Sequence, residues 1–231
     1  MKNVIVTGAT KGIGRAVTEI FAKNGYNVAI CARTASDLEQ FKQELQQQYK
    51  IEVIALAVDM ADKQAVKDFA QKVTAQWKTI DVLVNNAGAY IPCELTRSDT
   101  EAAFEQMMDL NLYSTYYLTQ GVLPNMLAQK SGHIFNMCSI ASFMAYGAYA
   151  VSKHAMLGFS RVLREEVKDK GIRVTAVMPG ATYTASWEGS DIPAERMMKA
   201  EDIAQSLYSI YQLSDQTVVE EIILRPQLGD I

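Results

Sequence analysis

A chain of 231 residues, 49% apolar and with a net charge of −4, can bury a sizeable core and has too little positive charge to seek a polyanion, so nucleic acid is not an expected partner. Cys31, Cys93 and Cys138 are odd in number and lie in apolar company, which fits reduced thiols without chemistry better than a disulfide framework or a zinc site. The first apolar run is too short for a signal-peptide core or a membrane span, so a cytoplasmic protein with no membrane partner and no metal is expected.

Seven β-rich runs alternate with segments of helical period: NVIVTG, YNVAICAR, IEVIALAVD, TIDVLVNNAG, GHIFNMCS, IRVTAVMPG and VVEEIILRP. Several are apolar throughout, as parallel strands covered on both faces must be. The pattern predicts one α/β domain, residues 1–231, with a doubly wound seven-stranded parallel sheet of Rossmann type and helices on both faces. LEQFKQELQQQYK suits an amphipathic surface helix. Ala185 to Lys199 is irregular, follows a strand end and is expected to form a lid within the domain.

Open α/β sheets bind ligands beyond the carboxyl ends of their strands, and the unusual motifs fall there. After the first run comes TGATKGIG, with Gly8, Gly12 and Gly14 permitting a tight turn, close approach of a pyrophosphate and close helix packing. The helix opening near Ile13 presents free amides to phosphate, with Thr10, Lys11 and Ile13 in the same loop. After the second run, CART has Arg33 directly following Ala32, the position where an acid would select NAD by bonding the ribose. Arg33 and Lys11 can instead meet a 2′-phosphate; two charge-assisted contacts of about 1.5 kcal/mol favour NADPH over NADH by roughly 100-fold. NADP(H) is the cofactor expected. Asp59 ends the third run and Asn85, Ala87 and Gly88 the fourth. Ser139 ends the fifth, and Pro179 and Gly180 the sixth.

GAYAVSKHA sets Tyr149 four positions before Lys153, stacked one helical turn apart. At about 5 Å and an effective dielectric near 20, an ammonium favours phenolate by roughly 3 kcal/mol, making the phenol a usable acid and base. Tyr146 has Ala150 four residues later and makes no such pair.

TGxxxGxG at Thr7, Gly8, Gly12 and Gly14, NNAG at 85–88, Asn111, Ser139, YAVSK at 149–153 and PGATYT at 179–184 together resemble the short-chain dehydrogenase/reductase family over nearly the whole chain. The resemblance implies a catalytic tetrad. Tyr149 protonates a carbonyl oxygen, Ser139 orients it, Lys153 supports the phenol and holds the nicotinamide ribose, and Asn111 holds the water of a proton relay. It also implies that Asp59 contacts adenine, unless it caps the next helix through DMAD. Asn85, Ala87 and Gly88 would back the adenosine, and Thr184, or else Thr182, would bond the nicotinamide amide.

Two features depart from the family pattern. Ser139 and Tyr149 are ten positions apart rather than about a dozen, and the C-terminus reads VVEEIILRPQLGDI without a VDGG-like ending. A homodimer or homotetramer is expected through long helices around 101–128 and 148–170. Tyr90, Phe143, Met144, Tyr146, Tyr183 and Trp187 are candidates for an aromatic-rich substrate pocket suited to a ketone or aldehyde. A 3-oxoacyl-[acyl-carrier-protein] reductase is the alternative, its carrier docking on Arg161, Arg164 and Lys168. A non-catalytic NADP(H) sensor would have no need of the tetrad.

Overall fold

The computed structural model describes residues 1–184, 187, 189 and 191–230. Seven parallel strands form one sheet in the order β3-β2-β1-β4-β5-β6-β7: β1 Asn3–Thr7, β2 Asn27–Ala32, β3 Val53–Ala57, β4 Val82–Asn85, β5 Gly132–Met137, β6 Ile172–Pro179 and β7 Glu221–Leu224. The central strands β1, β4 and β5 are buried at every position, which explains their unbroken apolar runs. β7 is short and half exposed, and it ends the sheet with no helix after it. The seventh βα-like unit is therefore a strand alone.

Helices α1 Gly12–Lys23, α2 Ala35–Gln48 and α7 Ala200–Tyr211 cover one face, and α3 Lys63–Gln76, α5 Ser114–Gln129 and α6 Gly147–Val167 the other. Each face has its own apolar core. Phe21, Phe41, Phe135 and Leu207 lie in the first; Phe69, Leu83, Leu118 and Ile134 lie in the second. Alternation along β4 sends Val82 and Val84 to one core and Leu83 to the other. α6 runs into a short 3₁₀ turn, Lys168–Lys170.

One long helix around 101–128 is not what forms. A short α4, Glu101–Met108, passes into a π-turn, Asp109–Tyr113, before α5 begins. Asn111 sits in that turn, fully buried. Strand order reverses between β1 and β4, where Val6 pairs with Val84, so the loops after these strands part and leave a crevice.

Of the expected lid, residues 185, 186, 188 and 190 lie outside the described residues. The base of the segment is pinned by Tyr183 N–H donating to Met198 O at 2.8 Å and Met198 N–H donating to Ala181 O at 3.0 Å. No helix among the described residues is long and apolar enough to cross a membrane.

Candidate active site

The glycine loop is built at the crevice. Gly8 and Gly12 adopt φ +62° and +52°, a left-handed backbone that side chains disfavour. A Cβ on Gly14 would stand 2.2 Å from Gly8 O, so helix α1 can approach the turn only with glycine there. The turn is held from β4. Thr7 Oγ1 accepts from the amides of Asn86 and Ala87, each at 2.9 Å, and Asn86 Nδ2 donates to Thr7 O at 2.8 Å and Gly8 O at 3.2 Å. Lys11 occupies the N-cap of α1 without a side-chain cap, and the first turn carries no acid. Its amides, those of Gly12, Ile13 and Gly14 among them, are available to an anion.

Asn85 does not face this loop. Its amide is 1% exposed and bonds Thr119 Oγ1 at 3.2 Å and Asn136 Oδ1 at 2.9 Å beneath the sheet. It lies on the Leu83 side of the strand, toward α5, and the neighbouring Asn86 is the one that grips the turn. Ala9 N–H donates to Cys31 O at 3.2 Å, which brings Thr10 and Lys11 beside the end of β2. Arg33 is exposed there, and Lys11 stands 3.9 Å from Asp37 with 70% of its side chain in solvent. Asp59 is also exposed and accepts from Ala61 N–H at 3.0 Å in a local turn. Capping of α3 falls to Asp62, which accepts from Gln64 and Ala65.

After β6, Thr184 faces the loop from the opposite side, since a Cβ on Gly12 would lie 2.8 Å from Thr184 Cγ2. Thr182 is buried, with Oγ1 donating to Gly180 O at 3.0 Å. Pro179 pairs with Leu224, and Gly180 packs against Pro226 and Asp230. These three shape the turn that presents Thr184.

The tyrosine and lysine meet at the end of β5. Lys153 is 5% exposed; its Nζ donates to Met137 O at 2.7 Å and lies 5.7 Å from the centre of the Tyr149 ring. Ser139 caps the 3₁₀ turn Ile140–Ser142. Its Oγ accepts from Ala141 N–H at 3.1 Å, which leaves its O–H to donate elsewhere. Ser142 Oγ donates to Lys153 O at 2.9 Å and accepts from Ser139 N–H at 3.4 Å. That staple spans the short Ser139–Tyr149 connection. Tyr90 stands edge-on to Tyr149, ring centres 5.2 Å apart at 85°.

Asn111 lies against the same group. Its Oδ1 accepts from Ala89 N–H at 2.8 Å, and its Nδ2 donates to Ala89 O at 3.0 Å and Ser152 Oγ at 2.9 Å. Both amide protons and one lone pair of the side chain are used in fixing the loop after β4 to α6. Gly88 is wedged between them: a Cβ there would be 3.0 Å from Asn111 Oδ1 and 3.5 Å from Lys153 Nζ. Burial pushes the Cys31 thiol up to about 12 and the Cys138 thiol up to about 11, which makes both poor nucleophiles.

Asn86, Ser142 and Ser152 were not singled out from the sequence as site residues, and Thr7 was marked only as part of the glycine motif. Ser139-x-x-Ser142 has the spacing of a capping box, the one local signal that could have marked Ser142.

The family model described as short chain dehydrogenase matches residues 2–192. A sepiapterin reductase of Chlorobaculum tepidum is 36% identical over 243 residues, covering 100% of this chain and 99% of that protein. Among solved structures, an alcohol dehydrogenase from the archaeon Thermococcus sibiricus complexed with 5-hydroxy-NADP superimposes with a TM-score of 0.91 at 29% identity, covering 100% of this chain and 99% of that one. L-sorbose reductase from Gluconobacter frateurii, complexed with NADPH and L-sorbose, gives a TM-score of 0.88 at 25% identity and covers 96% of this chain and 94% of that one. The chain belongs to the short-chain dehydrogenase family of oxidoreductases.

Proposed function

We propose that this protein is an NADP(H)-dependent carbonyl reductase that converts a ketone or aldehyde to its alcohol, with Tyr149 as the proton donor. The observation that carries the reading is the buried Lys153 ammonium, pinned on Met137 O at 2.7 Å and held 5.7 Å from the Tyr149 ring. An ammonium has three donors, so two remain for the phenol and a cofactor ribose. Ser139, its oxygen already accepting from Ala141, donates to the substrate carbonyl and holds it beside the phenol. Asn111 positions the loop that borders both.

The residues present fit the cofactor. The uncapped start of α1 and the side-chain-free floor at Gly8, Gly12 and Gly14 suit a pyrophosphate. Arg33 and Lys11 suit a 2′-phosphate, Asp59 the adenine end and Thr184 the nicotinamide amide. Ala87 and Gly88 line the wall between. Asn85, Thr182, Pro179 and Gly180 act through the scaffold. Bound NADPH supplies the hydride. The likeness to structures that hold NADP or NADPH supports the same assignment, and residues 185–199 remain the proposed lid.

Tyr149→Phe is expected to lower kcat/KM by about 10³-fold or more while the NADPH dissociation constant stays within about 3-fold. Turnover near the wild-type rate would remove Tyr149 as the proton donor. The acyl-carrier alternative has less support, because its basic face is already neutralised. Arg161 pairs with Glu221 at 2.6 Å, Arg164 with Glu165 and Glu220, and Lys168 with Glu165. A homo-oligomer is part of the proposal, supported by exposed Tyr113, Tyr116, Val151 and Val162 on the α4–α5 and α6 helices. Light scattering on the purified protein tests it, and a monomer mass would refute it.

A further inference from the structure

We propose that the cleft beside Tyr149 admits uncharged carbonyl compounds with a flat face and turns away anionic ones, with Asp99 and Glu94 setting this selectivity. The inference rests on the proposed reading of Tyr149 as the proton donor, and its test can fail separately from that reading.

The cleft measures about 630 Å³, and its lining includes Tyr90, Tyr146, Ala103, Glu94, Arg97 and Asp99. Tyr149 is not itself a lining residue, and the cleft reaches the reacting group through Tyr90. Tyr90 is the ring edge-on to Tyr149, and Tyr146 precedes Tyr149 by three residues at the start of α6. Two phenol rings, 61% and 41% exposed, offer flat apolar surface to whatever lies between them, a costly exposure unless something covers it.

Among the described lining residues Arg97 is the one cation, and its Nε/Nη2 edge is taken. Nε donates to Asp99 Oδ1 at 3.0 Å and Nη2 to Asp99 Oδ2 at 2.7 Å, the two-pronged geometry a substrate carboxylate would itself need. The guanidinium also holds the Asp99 carboxyl below its ordinary value, so the pair stays charged and joined at neutral pH. Glu94 lines the same cleft, is exposed, and takes no ion pair among the described residues. The three groups together leave one negative charge. An anionic substrate must either displace Asp99 or use the remaining Nη1 edge of a guanidinium whose charge Asp99 already offsets, with Glu94 lining the same cleft, and each choice opposes binding.

The test compares methyl benzoylformate with benzoylformate, which share ring and ketone and differ in charge at neutral pH. Both are titrated onto the wild-type protein with NADP⁺, a cofactor form that cannot reduce them, so affinity is read without turnover. The ester is expected to bind about ten-fold tighter, with the margin shrinking as salt rises. Asp99→Asn frees Arg97 and is expected to narrow the margin by about five-fold, and Glu94→Gln by about two-fold. Arg97 and Asp99 are both more than 60% exposed along their side chains, so neither substitution threatens the fold. Equal or tighter binding of the acid, or loss of acid binding on Arg97→Gln, overturns the inference, as does failure of both ligands to bind at millimolar concentration. Ester preference alongside an active Tyr149→Phe would sink the proton-donor assignment and leave the selectivity standing.

Discussion

Replacing Asn111 with leucine removes three hydrogen bonds at nearly constant volume, and the consequences can be worked out group by group. Ala89 N–H and Ala89 O lose partners at 2.8 and 3.0 Å, and Ser152 Oγ loses a donor at 2.9 Å. Ser152 is fully buried and Ala89 half-buried, so water replaces the lost partners only in part. Each orphaned group costs about 1–1.5 kcal/mol, which sums to about 3–4.5 kcal/mol. For a domain of this size, that corresponds to a fall in Tm of about 6–18 °C. Asn111→Asp keeps the acceptor for Ala89 N–H and loses both donor bonds, setting a carboxylate oxygen against Ala89 O and creating a buried charge. Asn111→Ser keeps neither reach. The informative pair is therefore Asn111→Leu in urea unfolding and in kinetics. The loop freed by the substitution carries Gly88 and Tyr90, which border Lys153 and Tyr149, so kcat is expected to fall by about 10²-fold in the still-folded fraction. A variant within 1 kcal/mol of wild type by urea midpoint, with kcat unchanged, would refute the claim that this amide positions the site.

Gly14→Ala drives a methyl group to 2.2 Å from Gly8 O and 2.5 Å from Asn86 Nδ2; it is expected to cost about 1–3 kcal/mol and to weaken NADPH binding, measured by fluorescence titration, and wild-type affinity would refute it. Gly158→Ala meets nothing within 4 Å inside α6, so it should stabilise by about 0.5–1 kcal/mol in urea. Burial holds His133 well below its ordinary value of 6.5, with Arg173 adding to the effect. The folded state therefore keeps the ring neutral, and its contribution is complete above about pH 6.5. As pH falls below that, the unfolded chain takes a proton the folded one refuses, and stability drops by up to about 1.4 kcal/mol per pH unit. Urea midpoints at pH 5, 6 and 7 should converge with those of His133→Gln toward acid; parallel curves would exclude His133 as a source of acid lability.

The strands, their parallel arrangement and the glycine turn were legible because burial on both faces and a glycine-rich turn between strand and helix each leave a local signature in the sequence, whereas the strand order came only with the structure. The choice between Asn85 and Asn86 was legible only in part. Period-two alternation already sends Asn85 to the side of Leu83, toward α5 and Thr119, and nothing in the motif marks Asn86 as the residue that grips Gly8. The π-turn at Asp109–Tyr113 left no such trace. DLNLY is unremarkable as helix, and the widened turn exists where Asn111 meets Ala89 and Ser152, partners 22 and 41 residues away in sequence. Lys153 likewise gave no hint that its ammonium would find Met137 O.

Those distant partners explain how a short Ser139–Tyr149 connection can still hold the geometry proposed for catalysis. Lys153 is fixed at both ends: its ammonium on Met137 O, the last residue of β5, and its carbonyl on Ser142 Oγ, in the turn that Ser139 caps. The strand end, the capped turn and helix α6 therefore move as one piece. Asn111 joins the loop after β4 to that piece through Ser152, which itself donates to Tyr149 O at 2.8 Å. Direct hydrogen bonds thus tie the turn that carries Ser139 to the helix that carries Tyr149. Preorganisation of this kind reduces the reorganisation required when charge develops on a substrate oxygen, and it assigns the short loop a positional role alongside any effect on the shape of the cleft.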